Sequence, residues 1–226
     1  MLERLRKLFS SRAPSVARAV PVPIDAVAAW AAGAGLDFHP RGEAGFAISG
    51  QRDGLTWRLE RGAPSRHFIH GAELRGRTEL GLHSNVAVLI LNRHLQDALE
   101  HRAFSEFTDT LRTSADQQLP EEVRWLSMYE EVPLPEAPIG FQDMYAVLAD
   151  EPRHAQDWID ASLATELMRW HEPVNEQTPL ILMALRGNVY FRMEAVPLDL
   201  GVLAQASRLY PLACARAQAV LPRTVG

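Results

Sequence analysis

Residues 45–60 read GFAISGQRDGLTWRLE, two alternating runs separated by Asp53-Gly54. Phe46 and Ile48 share one side of the first run, and Trp57 lies at the centre of the apolar side of the second run. Alternation with a period of two is typical of a strand that is buried on one side. Asp-Gly supplies the positive φ values that a two-residue hairpin turn requires. This stretch therefore predicts a β-hairpin.

Residues 180–194, LILMALRGNVYFRME, show the same pattern. Without a gap, 186–194 aligns with 52–60, so that two arginines and a glutamate coincide and Trp57 is aligned with Phe191. Both aromatic side chains hold the central apolar position of a second strand, and we predict that both are buried. The tripeptide Ile-Asp-Ala precedes each hairpin, at 24–26 and at 159–161.

This repetition supports two interpretations of the chain. One is a duplicated helix-plus-hairpin unit, with a first half at 24–131 and a second half at 139–226. The other is one continuous domain. Prolines at 133, 135 and 138 place the boundary between the halves, and residues 1–23 form a basic arm with a proline-rich linker.

The remaining elements follow from local patterning. Leu95, Leu99, Phe104, Phe107 and Leu111 are predicted to face inward from one helix. In the strand predicted at 68–82, the charged side that begins with Glu73 is expected to face water. The sequence predicts an α+β fold in which antiparallel hairpins form a sheet and helices pack on one face. The other predicted elements are a helix at 24–34, a loop through Pro40, a buried strand at 86–91, helices at 93–111 and from Pro120, a strand at 141–149, one helix at 150–170 and a last helix at 197–221.

Composition narrows the class of protein. A chain of 226 residues can bury a core without metal or disulfide support, and a single cysteine cannot form an internal disulfide. The sequence has no apolar segment of about 20 residues and no signal-peptide pattern. One lysine among 23 basic residues is typical of a high-GC bacterial genome. We therefore expect a bacterial cytoplasmic protein.

Charge is unevenly distributed along the chain. Residues 1–20 carry five basic side chains and one acidic, a balance of +4, whereas residues 121–160 carry ten acids and two arginines, a balance of −8. The acidic region is interpreted either as a solvated face or as a docking surface for a protein. Residues 1–9 form a short amphipathic pattern, which favours a docked or frayed tail over contact with an anionic membrane surface.

Motifs for familiar chemistry are missing from the sequence. A P-loop needs a lysine after its glycine turn, and Lys7 lies outside any such turn. The pair Gly33 and Gly35 follows a helix and lacks the third glycine of a dinucleotide fingerprint. No serine lies in a Gly-x-Ser-x-Gly elbow. The acidic balance and the absence of a recognised module argue against nucleic-acid binding. We predict no cofactor.

The candidate site residues are His67, His70, Glu73, Arg75 and Arg77. Strand geometry sends the first three side chains to different faces, and a zinc site needs about three protein ligands, so we predict that they hold no metal. Cys214 lies in an alanine-rich helix and is predicted to be an inert thiol.

Two functional hypotheses remain. The leading one is a non-catalytic binding or assembly protein that contacts another protein through the acidic 121–160 region or through an exposed sheet. The alternative is an enzyme or small-ligand-binding protein with a His/Arg/Glu site at the junction of the halves. A deep pocket with convergent His, Arg and Glu would favour the alternative.

Overall fold

The computed structural model describes residues 22–42, 45–110, 121–171 and 177–224. Nine strands lie in these ranges: β1 Asp37–Arg41, β2 Gly45–Arg52, β3 Leu55–Gly62, β4 Glu73–Glu79, β5 Ala87–Asn92, β6 Glu130–Glu131, β7 Tyr145–Ala149, β8 Leu180–Leu185 and β9 Asn188–Glu194. The helices are α1 Ile24–Gly33, α2 Arg93–Thr110, α3 Glu121–Met128, α4 Phe141–Met144, α5 Pro152–Trp158, α6 Ala161–Met168 and α7 Leu200–Val220, with a 3-10 turn at Arg169–His171.

All nine strands form one antiparallel sheet in the order β1-β2-β3-β4-β9-β8-β5-β7-β6. The predicted α+β fold with an antiparallel sheet and packed helices is confirmed. Strands from 24–131 and from 139–226 alternate within this sheet, because β9 and β8 lie between β4 and β5.

Both predicted hairpins are present, with matching turns. Asp53 and Gly54 have φ values of 51° and 78°, and Arg186 and Gly187 have 50° and 81°. Positive φ at both central residues defines the type I′ turn, whose twist suits adjacent antiparallel strands. Trp57 and Phe191 are both buried, as predicted.

The two hairpins are nevertheless oriented differently in the sheet. β3 and β9 both pair antiparallel to β4, one on each side, so the hairpins point the same way but their strands run in opposite order across the sheet. A half-turn about the strand direction relates them and exchanges the two faces. Matching the turns therefore equates Trp57 with Tyr190, whereas the gapless sequence alignment equates it with Phe191.

The main face of the sheet is covered by α1 and α4–α7. Phe46, Trp57, Leu74 and Phe191 on the strands pack with the helical residues in one large core. The long helix α7 lies across β2, β3 and β9, and its Tyr210 ring rests on Gly76. The missing side chain at Gly76 thus makes room for the Tyr210 ring against β4.

The second face is covered only in part by described helices. Leu95 and Leu99 of α2 and Trp125 of α3 pack on β5, β7 and β8 in a smaller core. This is a second helix layer beyond the predicted one. On the same face, β3, β4 and β9 carry charged side chains that reach solvent, as Arg58 and Arg75 show.

Several local predictions are wrong. Residues 37–41 form an edge strand, where Pro40 is tolerated because an edge leaves backbone N–H positions unpaired. Phe104 is exposed rather than inward. Residues 141–144 form a helical turn before the shorter strand at Tyr145. The structure describes neither the side chain of Phe107 nor residues 111–120, which include Leu111 and Pro120. Residues 1–21 of the predicted arm at 1–23 also lie outside the described residues.

The predicted helix at 150–170 is two helices. Ile159 departs from helical geometry with ψ of 78°, and the side chain of Asp160 accepts a hydrogen bond from Leu163 N that begins α6. The predicted inward residues Ala155, Ile159, Leu163 and Leu167 are all buried. Among the described helices, none has the length and apolarity needed to span a membrane.

Candidate functional site: an arginine cleft on the open part of the sheet

Strand alternation assembles a group of arginines on the second face. Arg58 on β3, Arg75 and Arg77 on β4 and Arg192 on β9 lie on the side opposite to the core residues of those strands. The register sets Arg75 opposite Arg192 and beside Glu60 on β3. Directly opposed like charges destabilise a sheet unless counter-charges intervene.

These side chains line a cleft of about 490 Å³. We call it the arginine cleft, and its lining residues are Arg58, Glu60, Ser65, Arg75, Gly76, Arg77, Tyr190 and Arg192. Four arginines against one glutamate make the lining positive in a chain whose formal net charge is −5.

Glu60 lies among three arginines, of which Arg58 and Arg75 belong to the cleft and Arg41 to β1. Its Oε1 is 2.8 Å from Nη2 of Arg58 and 3.6 Å from Nε of Arg41, and its Oε2 is 3.6 Å from Nη2 of Arg75. The alignment with Arg58 is poor, since Nε and Nη2 of Arg58 are buried without a hydrogen-bond acceptor among the described residues. Arg58 therefore has two buried donors that the Glu60 carboxylate does not use.

Glu73 is buried, contrary to the prediction that it faces water. Its Oε1 accepts from Nη1 of Arg192 at 2.5 Å, and its Oε2 accepts from the backbone N–H of Ser65 at 2.7 Å. Arg192 also donates to Oγ of Ser65 at 2.6 Å. A buried carboxylate with two strong donors is a structural anchor, because leaving either partner unpaired is costly. Glu73 ties the 65–73 loop to β9.

Arg77 and Tyr190 form the other end of the cleft. Nε of Arg77 donates to Oδ1 of Asn188 at 2.9 Å, and its guanidinium carbon lies 5.9 Å from the centre of the Tyr190 ring. The ring holds the guanidinium by a cation–π contact. The exposed Arg77 is thereby oriented while its Nη donors face the cleft or solvent.

The candidate histidines do not join the arginines. His67 is exposed in the turn before β4, whereas His70 lines a separate cleft of about 720 Å³ between α2 and the start of α7. That cleft is largely apolar, with Phe68 and Leu95 in its wall and His94 at its side. The backbone N–H of His70 donates to Glu194 at 2.6 Å.

No group of three His, Cys, Asp or Glu side chains that could hold a metal occurs within the ranges that the structure describes. His67, His70 and Glu73 accordingly lie in three different environments. Glu73 is committed to Arg192 and Ser65, and the other two are exposed.

Cys214 lies under the sheet, on the opposite side from the arginine cleft. It is fully buried, and burial raises the pKa of its thiol to about 12. Next to it, the Tyr210 hydroxyl and Thr78 Oγ1 are 2.7 Å apart, and desolvation by burial raises the pKa of Tyr210. A protonated, inaccessible thiol is a poor nucleophile.

The acidic region at 121–160 is partly neutralised by arginines. Glu121 contacts Arg186 at 2.9 Å and Arg66 at 3.4 Å. Glu131 binds both Nη atoms of Arg93, and this hydrogen bonding lowers the pKa of Glu131. Further acids of the region that contact arginine are Asp157 and Asp160.

Sequence reasoning found Arg75 and Arg77 but missed Arg58, Arg192 and Tyr190. Alternation does place each of the three on the polar side of its strand. The sequence does not show that β9 pairs with β4, and only this pairing brings Arg192 and Tyr190 to the side of Arg75. Chemically, the cleft can bind carboxylates or other oxyanions through guanidinium groups.

Comparisons with known proteins do not identify a family for this chain. No family model matches the chain, and no curated protein sequence matches it. Among solved structures, the chain is similar to the crystal structure of the mycobacterial trehalose monomycolate transport factor A, TtfA, at 11% identity and a TM-score of 0.44. The match covers 88% of this chain and 96% of that one. A likeness of that degree establishes neither fold nor function.

Proposed function

We propose that this protein is a non-catalytic binding module and that it binds an acidic segment of a partner protein in the arginine cleft. The observation that supports the proposal is the convergence of four arginines from three strands on an open part of the sheet. Guanidinium groups recognise carboxylates with charge-assisted hydrogen bonds, which are stronger than neutral ones.

Charge complementarity favours this cleft over the acidic region as the docking surface. The acids of the 121–160 region that contact arginines, such as Glu131 and Asp160, are already used within the protein. In the cleft, by contrast, Arg77 is exposed and its hydrogen-bond partner is the neutral amide of Asn188. Arg75 has its nearest carboxylate at 3.6 Å.

The same features favour a polypeptide over a nucleic acid. Nucleic-acid binding depends mainly on many basic contacts to phosphates, and the cleft offers only four arginines. Tyr190 is the one aromatic side chain of the lining, and its face is already occupied by Arg77. The net charge of −5 would also repel a long polyanion.

The experiment is a fluorescence-anisotropy titration with a labelled polyglutamate peptide. We expect the double variant Arg75→Ala/Arg77→Ala to bind roughly tenfold more weakly than the unaltered protein, because two exposed ion pairs are lost and each contributes up to about 1 kcal/mol. Arg52→Ala is the matched control. Its side chain is 42% exposed against 41% for Arg75, but it pairs with Asp53 in the turn outside the cleft.

Three outcomes would contradict the proposal. Equal binding by the double variant and Arg52→Ala would place the peptide elsewhere. If the unaltered protein does not bind the peptide at low salt, an acidic segment is excluded as the ligand. Tighter binding of single-stranded polyuridylate than of polyglutamate would assign the cleft to nucleic acid.

A further inference from the structure

Glu60 occupies the position in the arginine cleft where an incoming carboxylate would bind. Arginines from β1, β3 and β4 surround it, with the nearest atoms of Arg41, Arg58 and Arg75 at 3.6, 2.8 and 3.6 Å. Its side chain is 28% exposed, so a ligand in the cleft can reach it.

Its environment differs from that of Glu73, another carboxylate on this face. Glu73 is fully buried and accepts two hydrogen bonds of 2.5 and 2.7 Å. Glu60 approaches Arg58 closely, yet Nε and Nη2 of Arg58 have no hydrogen-bond acceptor among the described residues. Glu73 is thus a fixed anchor, whereas Glu60 is a poorly aligned counter-ion.

We infer that Glu60 is an internal competitor that selects partners with clustered carboxylates. The inference rests on the proposed function of the cleft. A ligand with one carboxylate replaces one ion pair by another and gains little, because exposed ion pairs contribute little to binding. A ligand with adjacent carboxylates engages Arg75 and Arg77 together with Arg58, and so displaces Glu60.

The test is Glu60→Gln in the same titration, with two peptides that carry either adjacent glutamates or a single glutamate. We expect binding of the single-glutamate peptide to tighten about two- to fivefold, since one competing ion pair is removed. The preference for the clustered peptide should fall by a similar factor. Glu79→Gln is the matched control, because it removes the same charge from the same face while Glu79 makes no ion pair with any residue that the structure describes.

A second variant separates local competition from net charge. Glu60→Asp keeps the charge and withdraws the carboxylate by one methylene, and we expect it to tighten binding of the single-glutamate peptide less than Glu60→Gln does. Circular dichroism and urea unfolding verify the fold of each variant.

The outcomes distinguish this inference from the proposed function. Unchanged affinities in both Glu60 variants, together with weaker binding by Arg75→Ala/Arg77→Ala, would overturn the competitor role and leave the acidic partner in place. An equal gain in Glu79→Gln and Glu60→Gln would show a general charge effect and also overturn it. An absence of peptide binding by the unaltered protein would reject both the competitor role and the proposed function.

Discussion

At the scale of single residues, the packing of the α7 residue Tyr210 against β4 depends on Gly76. A Cβ atom built on this residue would lie 2.6 Å from the Tyr210 ring and 3.0 Å from Leu59. Tyr210 is itself held by Thr78 and by the carbonyl of Val189. The ring cannot move aside without breaking these buried hydrogen bonds, so the absence of a side chain at position 76 is required.

We therefore predict that Gly76→Ala destabilises the fold by about 1–3 kcal/mol, the usual cost of overpacking a core. Urea unfolding followed by tryptophan fluorescence measures the change. Gly62→Ala is the control, since a Cβ at Gly62 on neighbouring β3 would have no atom within 4 Å. A loss for Gly76→Ala no larger than that for Gly62→Ala would show that α7 can shift away from β4.

At the scale of elements, the hairpins could be predicted because alternation and turn chemistry agree in them. The helix at 150–170 was predicted as continuous because its apolar residues recur with helical spacing on both sides of the break. The break depends on Asp160, whose side chain caps α6 through Leu163 N at 2.9 Å. An aspartate inside an apolar pattern does not by itself show whether it caps a new helix or faces solvent.

We predict that Asp160→Ala costs about 0.5–2 kcal/mol of unfolding free energy, the range measured for lost N-caps. Asp160→Asn keeps a capping oxygen and should remain close to the unaltered protein in urea unfolding. Asp160 also lies 3.1 Å from Nε of Arg216. Equal losses in both variants would mean that this ion pair, and not the cap, carries the stabilisation.

At the scale of the whole molecule, the order of strands could not be predicted from the sequence. Local patterns identify strands, but the second partner of β4 is β9, far along the chain, and β5 lies beyond β8. The same long-range pairing explains why only part of the candidate site could be predicted. Arg75 and Arg77 were predicted from their own strand, whereas Arg192 reaches them only through this long-range pairing.

The interleaved sheet predicts that neither 24–131 nor 139–226 folds alone. Without α7, the first fragment would expose the core residues Phe46, Trp57 and Leu74. Without β4 and β5, the second would leave β8 and β9 without their other neighbours. Each separate fragment should lack a cooperative thermal transition, and mixing the two should restore one. A cooperative transition in either isolated fragment would show that it is an independent domain.

The pairing of β4 with β9 also constrains how the protein emerges from the ribosome. Glu79 pairs with Asn188, so every residue from 80 to 187 must be synthesised before β4 receives its second neighbour. At usual translation speeds this delay lasts roughly 5–20 s. In any partial pairing of β1–β4 before then, β4 would be an exposed edge, and its charged residues Glu73, Arg75, Arg77 and Glu79 would discourage pairing with other nascent chains. The arginines that line the cleft in the folded protein are thus also charges on a strand that must wait for its second neighbour.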